Sequence, residues 1–207
     1  MATKALARDQ IRESLLDAMD SLLIRFGYQK TTVDDLASEA GIGKGTVYLY
    51  FDSKEQVALS CIDRLHERLI AKMLDASETN DPALTKLENM LYVRVKTRFD
   101  YCSNASCLDE MLAALHKELV IRKVQYHADE ARILEDVLAR AIQSGELPDC
   151  DAAAVSESMI LATNSFLPYS MRTSQLGSSE ELEVKVRRIA RLFVLGLAGL
   201  PAPVPTH

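Results

Sequence analysis

Apolar residues recur at intervals of three and four along this chain, and this periodicity strongly restricts its possible folds. The first clear case runs from Ile11 through Leu15, Met19 and Leu22 to Phe26, a set that would lie on one face of a helix. The alternation of apolar and polar residues that marks a half-buried strand is not sustained anywhere, and 8 glycines and 6 prolines are too few for the turns of an all-β protein. The sequence therefore predicts an all-α fold.

Capping residues divide this pattern into about nine helices. Gly27 ends the first helix. Thr32 and Asp35 have the spacing of a capping box at the start of the second helix, which Gly41 then stops. The polar segment 77–82 ends in proline and is the best candidate for a linker. We expect helices at about residues 8–26, 32–41, 43–50, 53–76, 82–101, 105–119, 122–144, 151–172 and 179–200.

The segment 31–54 predicts two short helices joined by a tight turn. Such a pair must bury a shared seam, and apolar or small residues stand at all the required positions: Val33, Leu36, Ala37, Ile42, Val47 and Phe51. Ala37 and Gly41 are four residues apart, which suits a turn where the second helix crosses close over the first and the backbone needs a positive φ. This is the geometry of a helix-turn-helix, whose second helix enters the major groove of DNA.

The exposed positions of that second helix carry an unusual set of groups. Lys44, Thr46, Tyr48 and Tyr50 offer an ammonium, a hydroxyl and two phenols, and Gly45 lets the backbone approach bases or sugars closely. Taken one at a time, the tyrosines are equally explained as half-buried packing residues and the lysine as a solvated charge. Their coincidence with the tight turn favours contacts with DNA.

Residues 41–55 resemble the recognition segment of the tetracycline-repressor (TetR) family. That segment commonly runs glycine, apolar, serine, lysine or arginine, glycine or alanine, threonine, apolar, tyrosine, any residue, histidine or tyrosine, phenylalanine, any residue, serine or asparagine, lysine, glutamate. Here it reads GIGKGTVYLYFDSKE without a gap. Gly43 stands where serine is usual and Tyr50 where histidine is commoner. The resemblance covers about residues 8–60; the remainder is similar only in length, helix content and the turn at 141–147.

The resemblance implies DNA contacts at eight positions. Lys44, Gly45, Tyr48 and Leu49 would face bases, whereas Thr32, Thr46, Tyr50 and Lys54 would hold phosphates. It also implies a three-helix N-terminal DNA-binding domain of residues 1–55 with its motif at about 32–51. A larger C-terminal helical bundle of residues 56–200 would serve ligand sensing and dimerisation, followed by an extended, disordered tail at 201–207.

In this family the last two helices of two subunits form the dimer interface, here residues 151–172 and 179–200. The last helix carries a broad apolar face: Leu182, Val186, Ile189, Phe193, Leu197 and Leu200. Arg187, Arg188 and Arg191 lie on the other side. A homodimer fits this face because two operator half-sites roughly 34–36 Å apart need two recognition helices. The alternative, an intrachain core, could cover about half of the face.

A ligand cavity is expected among the C-terminal helices. Its candidate lining residues are aromatic, sulfur-containing or isolated polar residues: Phe99, Tyr101, Met111, His116, Tyr126, Met159, Asn164, Phe166, Tyr169 and Met171. Each is also explained as an ordinary core residue. Pro168 lies inside a predicted helix and is expected to kink it.

Composition limits the partners and the compartment. The net charge is −6, and residues 1–55 hold seven lysines and arginines against nine acidic residues, so DNA contacts must be few and placed. The four cysteines include no CxxC pair, which favours reduced thiols in a cytoplasmic protein. Cys102 and Cys107 are five apart and could form a redox switch, although buried inert thiols are the commoner case. The longest apolar run, 192–200, is far short of the roughly 18 residues that span a membrane.

Other chemistry is not indicated. His66, His116 and His127 have no metal-binding spacing, and no phosphate loop or nucleophile elbow follows a strand, so we expect no metal, no cofactor and no enzyme activity. The sequence therefore predicts a repressor released from a palindromic operator when a small, apolar inducer binds. Two alternatives remain: a DNA-binding structural or cell-division factor of the same fold without an inducer, and an all-α protein that does not touch DNA, with Tyr48 and Lys44 facing inward.

Overall fold

The computed structural model describes residues 2–103, 108–167, 175 and 177–199. Its helices are α1 (Ala2–Phe26), α2 (Val33–Glu39), α3 (Lys44–Val47), α4 (Lys54–Ser77), α5 (Ala83–Ser103), α6 (Leu108–Ala114), α7 (His116–Gln143), α8 (Ala152–Thr163), a 3₁₀ turn (Asn164–Phe166) and α9 (Ser179–Gly199). The described residues contain no strand, and the all-α prediction is confirmed. None of these helices is both long and apolar enough to cross a bilayer.

The predicted cap residues Gly27 and Thr32 are confirmed, whereas α1 begins at Ala2 instead of about residue 8. Gly27 has φ +83° and donates its N–H to the carbonyl of Leu23 after α1. At the start of α2 the Thr32 hydroxyl accepts the N–H of Asp35 at 3.2 Å, and the Asp35 carboxylate accepts the N–H of Thr32 at 2.9 Å. This is a complete capping box, so amides that the helix leaves unpaired are satisfied locally.

Two predicted helices, 105–119 and 122–144, have the wrong boundary. Helix α6 ends at Ala114, and α7 begins at His116 and continues to Gln143 without the expected break near residue 120. The turn falls at Leu115, whose side chain is buried. No glycine or proline stands between residues 116 and 143, so nothing interrupts the backbone hydrogen bonds of α7.

The helix predicted at 151–172 is shorter than expected. Helix α8 ends at Thr163, and Leu167 is extended with φ −94° and ψ 146°. A proline ring disfavours helical backbone in the residue before it, and residue 168 is proline. The expected kink at Pro168 is therefore wrong, because the α-helix stops four residues before Leu167. Pro168 itself and the rest of the predicted helix, 169–172, lie outside the described residues.

The chain forms two compact units. The first comprises residues 1–65 and 102–121, so the segment around α6 belongs with the N-terminal helices. In it Arg64 of α4 donates to three carboxylates of α1, those of Glu13, Asp17 and Asp20. Phe26, predicted on the buried face of α1, is exposed, since it is the last residue of the helix. The functional division at residue 55 stays a prediction.

The second unit comprises residues 66–101 and 122–207. Its core is formed by α4, α5, α7, α8 and α9. In α9 the predicted apolar face packs within the chain: Leu182 and Val186 are buried, and Ile189 and Phe193 are half-buried. The side chains of Leu197 and Leu200 lie outside the described residues. The alternative of an intrachain core therefore holds for Leu182 and Val186, the part of this face that is fully buried.

Candidate functional site

The packing of α2 against α3 leaves one side of the motif free. Leu36, Ala37, Val47 and Phe51 are buried between the helices, as the seam requires. Val33 and Ile42 are half-buried. Gly41 has φ +67° in the turn, and the N–H of Ile42 donates to the carbonyl of Ala37 at 2.9 Å. The predicted tight turn is present.

We call residues 43–51 the recognition segment. Its helical part, α3, covers only Lys44–Val47, and turn hydrogen bonds from Leu49 and Tyr50 to the carbonyls of Thr46 and Val47 continue it. The helix predicted to reach Tyr50 is thus shorter than expected. Gly43 is the N-cap of α3. Because glycine has no side chain, Gly43 makes no side-chain hydrogen bond to the first amides of the helix.

The expected base-contacting residues share the open side of this segment. Tyr48 is 49% and Leu49 74% exposed, and Lys44 and Gly45 are exposed beside them. A Cβ added to Gly45 would meet nothing within 4 Å, so the backbone there is open to a partner. The alternative in which Tyr48 and Lys44 face inward is wrong, because both side chains are exposed.

Lys44 already has an anionic partner. Its ammonium lies 2.8 Å from a carboxylate oxygen of Asp34, and both side chains are at least half exposed. This hydrogen bond and the negative charge of Asp34 raise the pKa of Lys44. The group stays cationic, but a DNA acceptor would have to compete with Asp34 for it.

Two of the expected phosphate-contacting residues serve intrachain roles. The Lys54 ammonium donates to the carbonyl of Tyr28 at 2.9 Å and lies 4.3 Å from the centre of its ring. The Thr32 hydroxyl donates to the Asp35 carboxylate at 2.7 Å within the capping box. Thr46 and Tyr50 are half-buried. The residues of this group therefore hold the motif together, whatever else they contact.

Two arginines beside the recognition segment were missed in the sequence. The guanidinium of Arg8 lies 5.9 Å from the Tyr50 ring, and that of Arg12 lies 5.6 Å from the Phe51 ring. They are four residues, about one helical turn, apart on α1. This spacing was the feature of the sequence that placed both arginines on one side of the helix. They add positive charge to a motif whose sequence has an acidic excess.

The sequence profile described as "Bacterial regulatory proteins, tetR family" matches residues 15–61. This match contains α2, α3 and the whole recognition segment. Residues 15–61 thus match the N-terminal domain of the TetR family. The resemblance seen in the sequence is thereby confirmed.

Proteins that are similar to this chain over most of its length include regulators. The "Fatty acid metabolism regulator protein" of Bacillus subtilis is 25% identical over 149 residues, which cover 72% of this chain and 77% of that protein. A TetR transcription regulator from Haloarcula marismortui has the same fold with TM-score 0.72 and 25% identity, over 91% of this chain and 98% of the other. FadR from Bacillus subtilis, solved in complex with stearoyl-CoA, has TM-score 0.63 and 22% identity, over 89% and 98%. The comparisons support a transcriptional regulator rather than an enzyme.

The candidate ligand-binding residues that the structure describes fall in both units. Phe99, Met159 and Phe166 belong to the core of the second unit or pack against it. Asn164 accepts a hydrogen bond from Arg94, Tyr126 stacks on His66 with ring centres 4.1 Å apart, and Tyr101 is half-buried. Met111 is buried in the first unit and His116 is exposed there. Tyr169 and Met171 lie outside the described residues.

The second unit also contains buried charges that we did not anticipate. Arg94, Arg98 and Glu130 are buried together at the centre of the unit, and Thr163 joins them. Arg94 follows Leu87 and Leu91 on α5 at helical spacing, so a charge on an apolar stripe was the signal to notice. Burial alone would raise the pKa of Glu130, but the charges and hydrogen bonds of Arg98 and Arg94 outweigh it and lower the pKa to about 2.

The cysteines and histidines show no grouping suited to a metal. Among the described residues no three or more histidine, cysteine, aspartate or glutamate side chains come together as metal ligands. Cys61 is buried, and Cys102 and Cys150 are half-buried cysteines. Cys107 lies outside the described residues, so the proposed redox pair stays a prediction.

Proposed function

We propose that this protein is a homodimeric repressor that binds a palindromic operator and leaves it when a small apolar molecule binds the second unit. The observation that carries the proposal is the recognition segment. Its buried side is locked against α2 while Lys44, Gly45, Tyr48 and Leu49 face outward together. A rigid helix with its contact groups on one open side is what major-groove reading requires.

In this proposal Lys44, Tyr48 and Leu49 read base edges, and the backbone at Gly45 approaches the DNA closely. Thr46, Tyr50, Thr32 and Lys54 lie against phosphates and set the register. Arg8 and Arg12 strengthen the phosphate contacts, because each guanidinium already lies beside an aromatic ring of the segment. The net charge of −6 keeps binding to unrelated DNA weak, so specificity depends on these placed groups.

The dimer would form through α8 and α9. On α9 Val184, Leu192 and Leu195 are exposed and recur at helical spacing, on a different side from the buried Leu182 and Val186. Leu161 of α8 is exposed as well. Large apolar side chains on two adjacent helices are typical of a surface that a second subunit covers.

The effector would be an apolar molecule within the second unit. TetR-family relatives of this chain include a regulator of fatty acid metabolism and a protein solved with stearoyl-CoA. Phe99, Met159 and Phe166 would supply apolar contacts, and Asn164 a polar one. Induction requires the effector to bind the non-operator conformation more tightly than the operator-bound one.

The test is fluorescence anisotropy on labelled intergenic duplexes that flank the gene. Saturable binding of two subunits to one palindromic fragment is expected. Tyr48→Ala and Lys44→Ala should each weaken it by roughly 1–3 kcal/mol without changing the helix content or the dimer. Lys185→Ala, an exposed lysine of α9, serves as the control. Equal, weak binding to every fragment, or unchanged affinity in both variants, would overturn the assignment of the recognition segment.

A further inference from the structure

Asp34 and Lys44 form an ion pair at the N-terminal ends of the two helices of the motif. Asp34 lies in the first turn of α2, and Lys44 is the first residue of α3. The ammonium nitrogen of Lys44 lies 2.8 Å from Asp34 Oδ2. The other carboxylate oxygen, Oδ1, accepts no hydrogen bond within the described part of the chain. We call these two residues the Asp34–Lys44 pair.

The pair is accessible and can bind further groups. The side chain of Lys44 is 50% and that of Asp34 69% exposed. An ammonium has three N–H groups, and Lys44 uses one of them on Asp34, so two can donate elsewhere. An ion pair this exposed contributes little to stability, so it can adjust when a partner binds. The motif thus presents hydrogen-bond donors directly beside a hydrogen-bond acceptor.

The charges of the pair do not suit a phosphate. The two opposite charges cancel, and a phosphate that approached the Lys44 ammonium would also approach the Asp34 carboxylate, which repels it. Base edges are uncharged and present donors and acceptors side by side. The N-terminal residues of a recognition helix are also the ones that contact base edges, and Lys44 begins α3. The pair is therefore suited to a base pair.

A G·C pair offers the complementary pattern in the major groove. Guanine presents N7 and O6 as neighbouring acceptors, and cytosine presents the N4 amino group as a donor beside them. O6 and N4 are hydrogen-bonded to each other, so they lie about 2.9 Å apart. Lys44 Nζ and Asp34 Oδ2 lie 2.8 Å apart. The donor and the acceptor of the protein thus match the spacing of an acceptor and a donor of the base pair.

An A·T pair is a poorer match. Thymine O4 could accept from Lys44 and adenine N6 could donate to Asp34, but O4 is the one acceptor beside N6 on the thymine side. The thymine methyl group is the next group along that edge. Lysine can instead donate to both N7 and O6 of guanine, which is the commonest type of specific contact. The second acceptor favours G·C.

We propose that the Asp34–Lys44 pair reads one G·C base pair in each operator half-site. Lys44 donates to guanine N7 and O6, and Asp34 accepts from cytosine N4. Asp34 is thus a specificity-determining residue on α2, outside the recognition segment. This inference rests on the proposed function as an operator-binding repressor and names one base pair of its site.

The first test changes single atoms of the DNA. In the palindromic fragment that the protein binds, each G·C pair in turn receives 7-deazaguanine, which lacks N7, or N4-methylcytosine. The latter still pairs but loses the N–H that faces the major groove. At one position in each half-site, both analogues should weaken binding about fivefold or more. Hypoxanthine in place of that guanine is the matched DNA control. It keeps N7 and O6 and lacks only the amino group in the minor groove, so binding should be unchanged.

The second test assigns each atom to a side chain. N4-methylcytosine should no longer weaken binding by Asp34→Ala, and 7-deazaguanine should no longer weaken binding by Lys44→Ala. Asp34→Ala should also bind unrelated duplexes more tightly, with a slope of log K against log salt steeper by about one, because Lys44 can then contact a phosphate. Glu118→Ala removes an exposed negative charge from the same unit and should respond to both analogues like the wild type.

Three results would overturn the inference: wild-type binding that tolerates both analogues at every position, losses that persist in Asp34→Ala and Lys44→Ala, or an A·T pair whose preference disappears in Asp34→Ala. Each of these results is measured on operator-specific binding and leaves the proposed function standing. Failure of the proposed function shows instead as a wild-type protein that prefers no fragment. Circular dichroism of each variant verifies that its helix content is unchanged.

Discussion

Gly41 and Gly45 lie four residues apart, and their backbones differ in the sign of φ. Gly41 has φ +67°, a conformation that side chains with a Cβ rarely adopt, and it makes the turn between α2 and α3. Gly45 has no positive φ and lies inside α3 on the exposed side. Neither glycine has an atom within 4 Å of the position that a Cβ would take. The methyl group of an alanine would therefore not clash with neighbouring atoms at either position.

Gly41→Ala should therefore destabilise the protein by about 1–2 kcal/mol through backbone strain alone. Gly45→Ala should leave stability unchanged or raise it by up to about 1 kcal/mol, since alanine favours helix. It should nevertheless weaken operator binding at least about tenfold, because the new methyl group keeps the backbone away from the DNA. Urea unfolding measures stability, and anisotropy measures affinity.

Each variant is the control for the other. Gly41→Ala tests the turn without altering the base-reading side, and Gly45→Ala tests that side without altering the turn. Wild-type operator affinity in Gly45→Ala would show that the backbone at this position is not close to DNA.

At the scale of secondary structure, Glu130 connects three helices. It lies on α7, accepts from Arg94 and Arg98 of α5, and through Arg94 reaches Thr163 at the end of α8. Removing one partner from a buried ion pair leaves a charge that water cannot reach. The buried polar contacts between α5 and α7 thus depend on a single carboxylate.

Glu130→Gln should lower the free energy of unfolding by about 3–5 kcal/mol at neutral pH. The sign of the pH dependence follows from the pKa, which falls from 4.5 to about 2 on folding. The wild-type stabilisation is complete above pH 4.5 and is lost as pH falls toward 2. Urea unfolding across this range should show a smaller acid-induced loss in the variant.

The control for this prediction is Glu157→Gln, an exposed glutamate on α8 of the same unit. It should unfold like the wild type at every pH. A Glu130→Gln protein as stable as this control would mean that the arginines are held by other groups.

The whole molecule needs two copies of the recognition segment to read a palindromic site. In the proposed homodimer, the exposed apolar side chains on α9 form the contact between the subunits. Leu192 is 60% and Leu195 64% exposed in the single chain. A charge placed there would have to be buried without a partner in the dimer.

Leu192→Glu should therefore shift the protein toward monomer in sedimentation velocity, and operator affinity should fall with it, because one half-site alone binds weakly. Leu74→Glu introduces the same charge at an exposed leucine of α4 and should remain dimeric. A dimeric Leu192→Glu protein, with Leu74→Glu instead monomeric, would move the interface away from the last two helices.

The helices, their caps and the helix-turn-helix were predictable from sequence because each depends on residues close together in the chain. The capping box of Thr32 and Asp35, the glycine turn and the seam of α2 and α3 are local patterns, and they are present as expected. The break near residue 120 and the kink at Pro168 were wrong. In both cases the backbone hydrogen bonds and the residue before proline decided where a helix ended.

The tertiary structure alone decided which side chains meet across the chain. Lys54 packs on Tyr28, Arg98 meets Glu130, and the apolar face predicted for a partner subunit on α9 is turned into its own chain. These contacts depend on how helices that are distant in the sequence pack together. A periodic pattern indicates only that one face of a helix is buried, and it does not identify the element that covers this face. The sequence by itself therefore determined the fold class and the helix-turn-helix. The buried ion pairs of Arg94 and Arg98 with Glu130, which lies 36 and 32 residues further along the chain, arise only from the packing of α5 against α7.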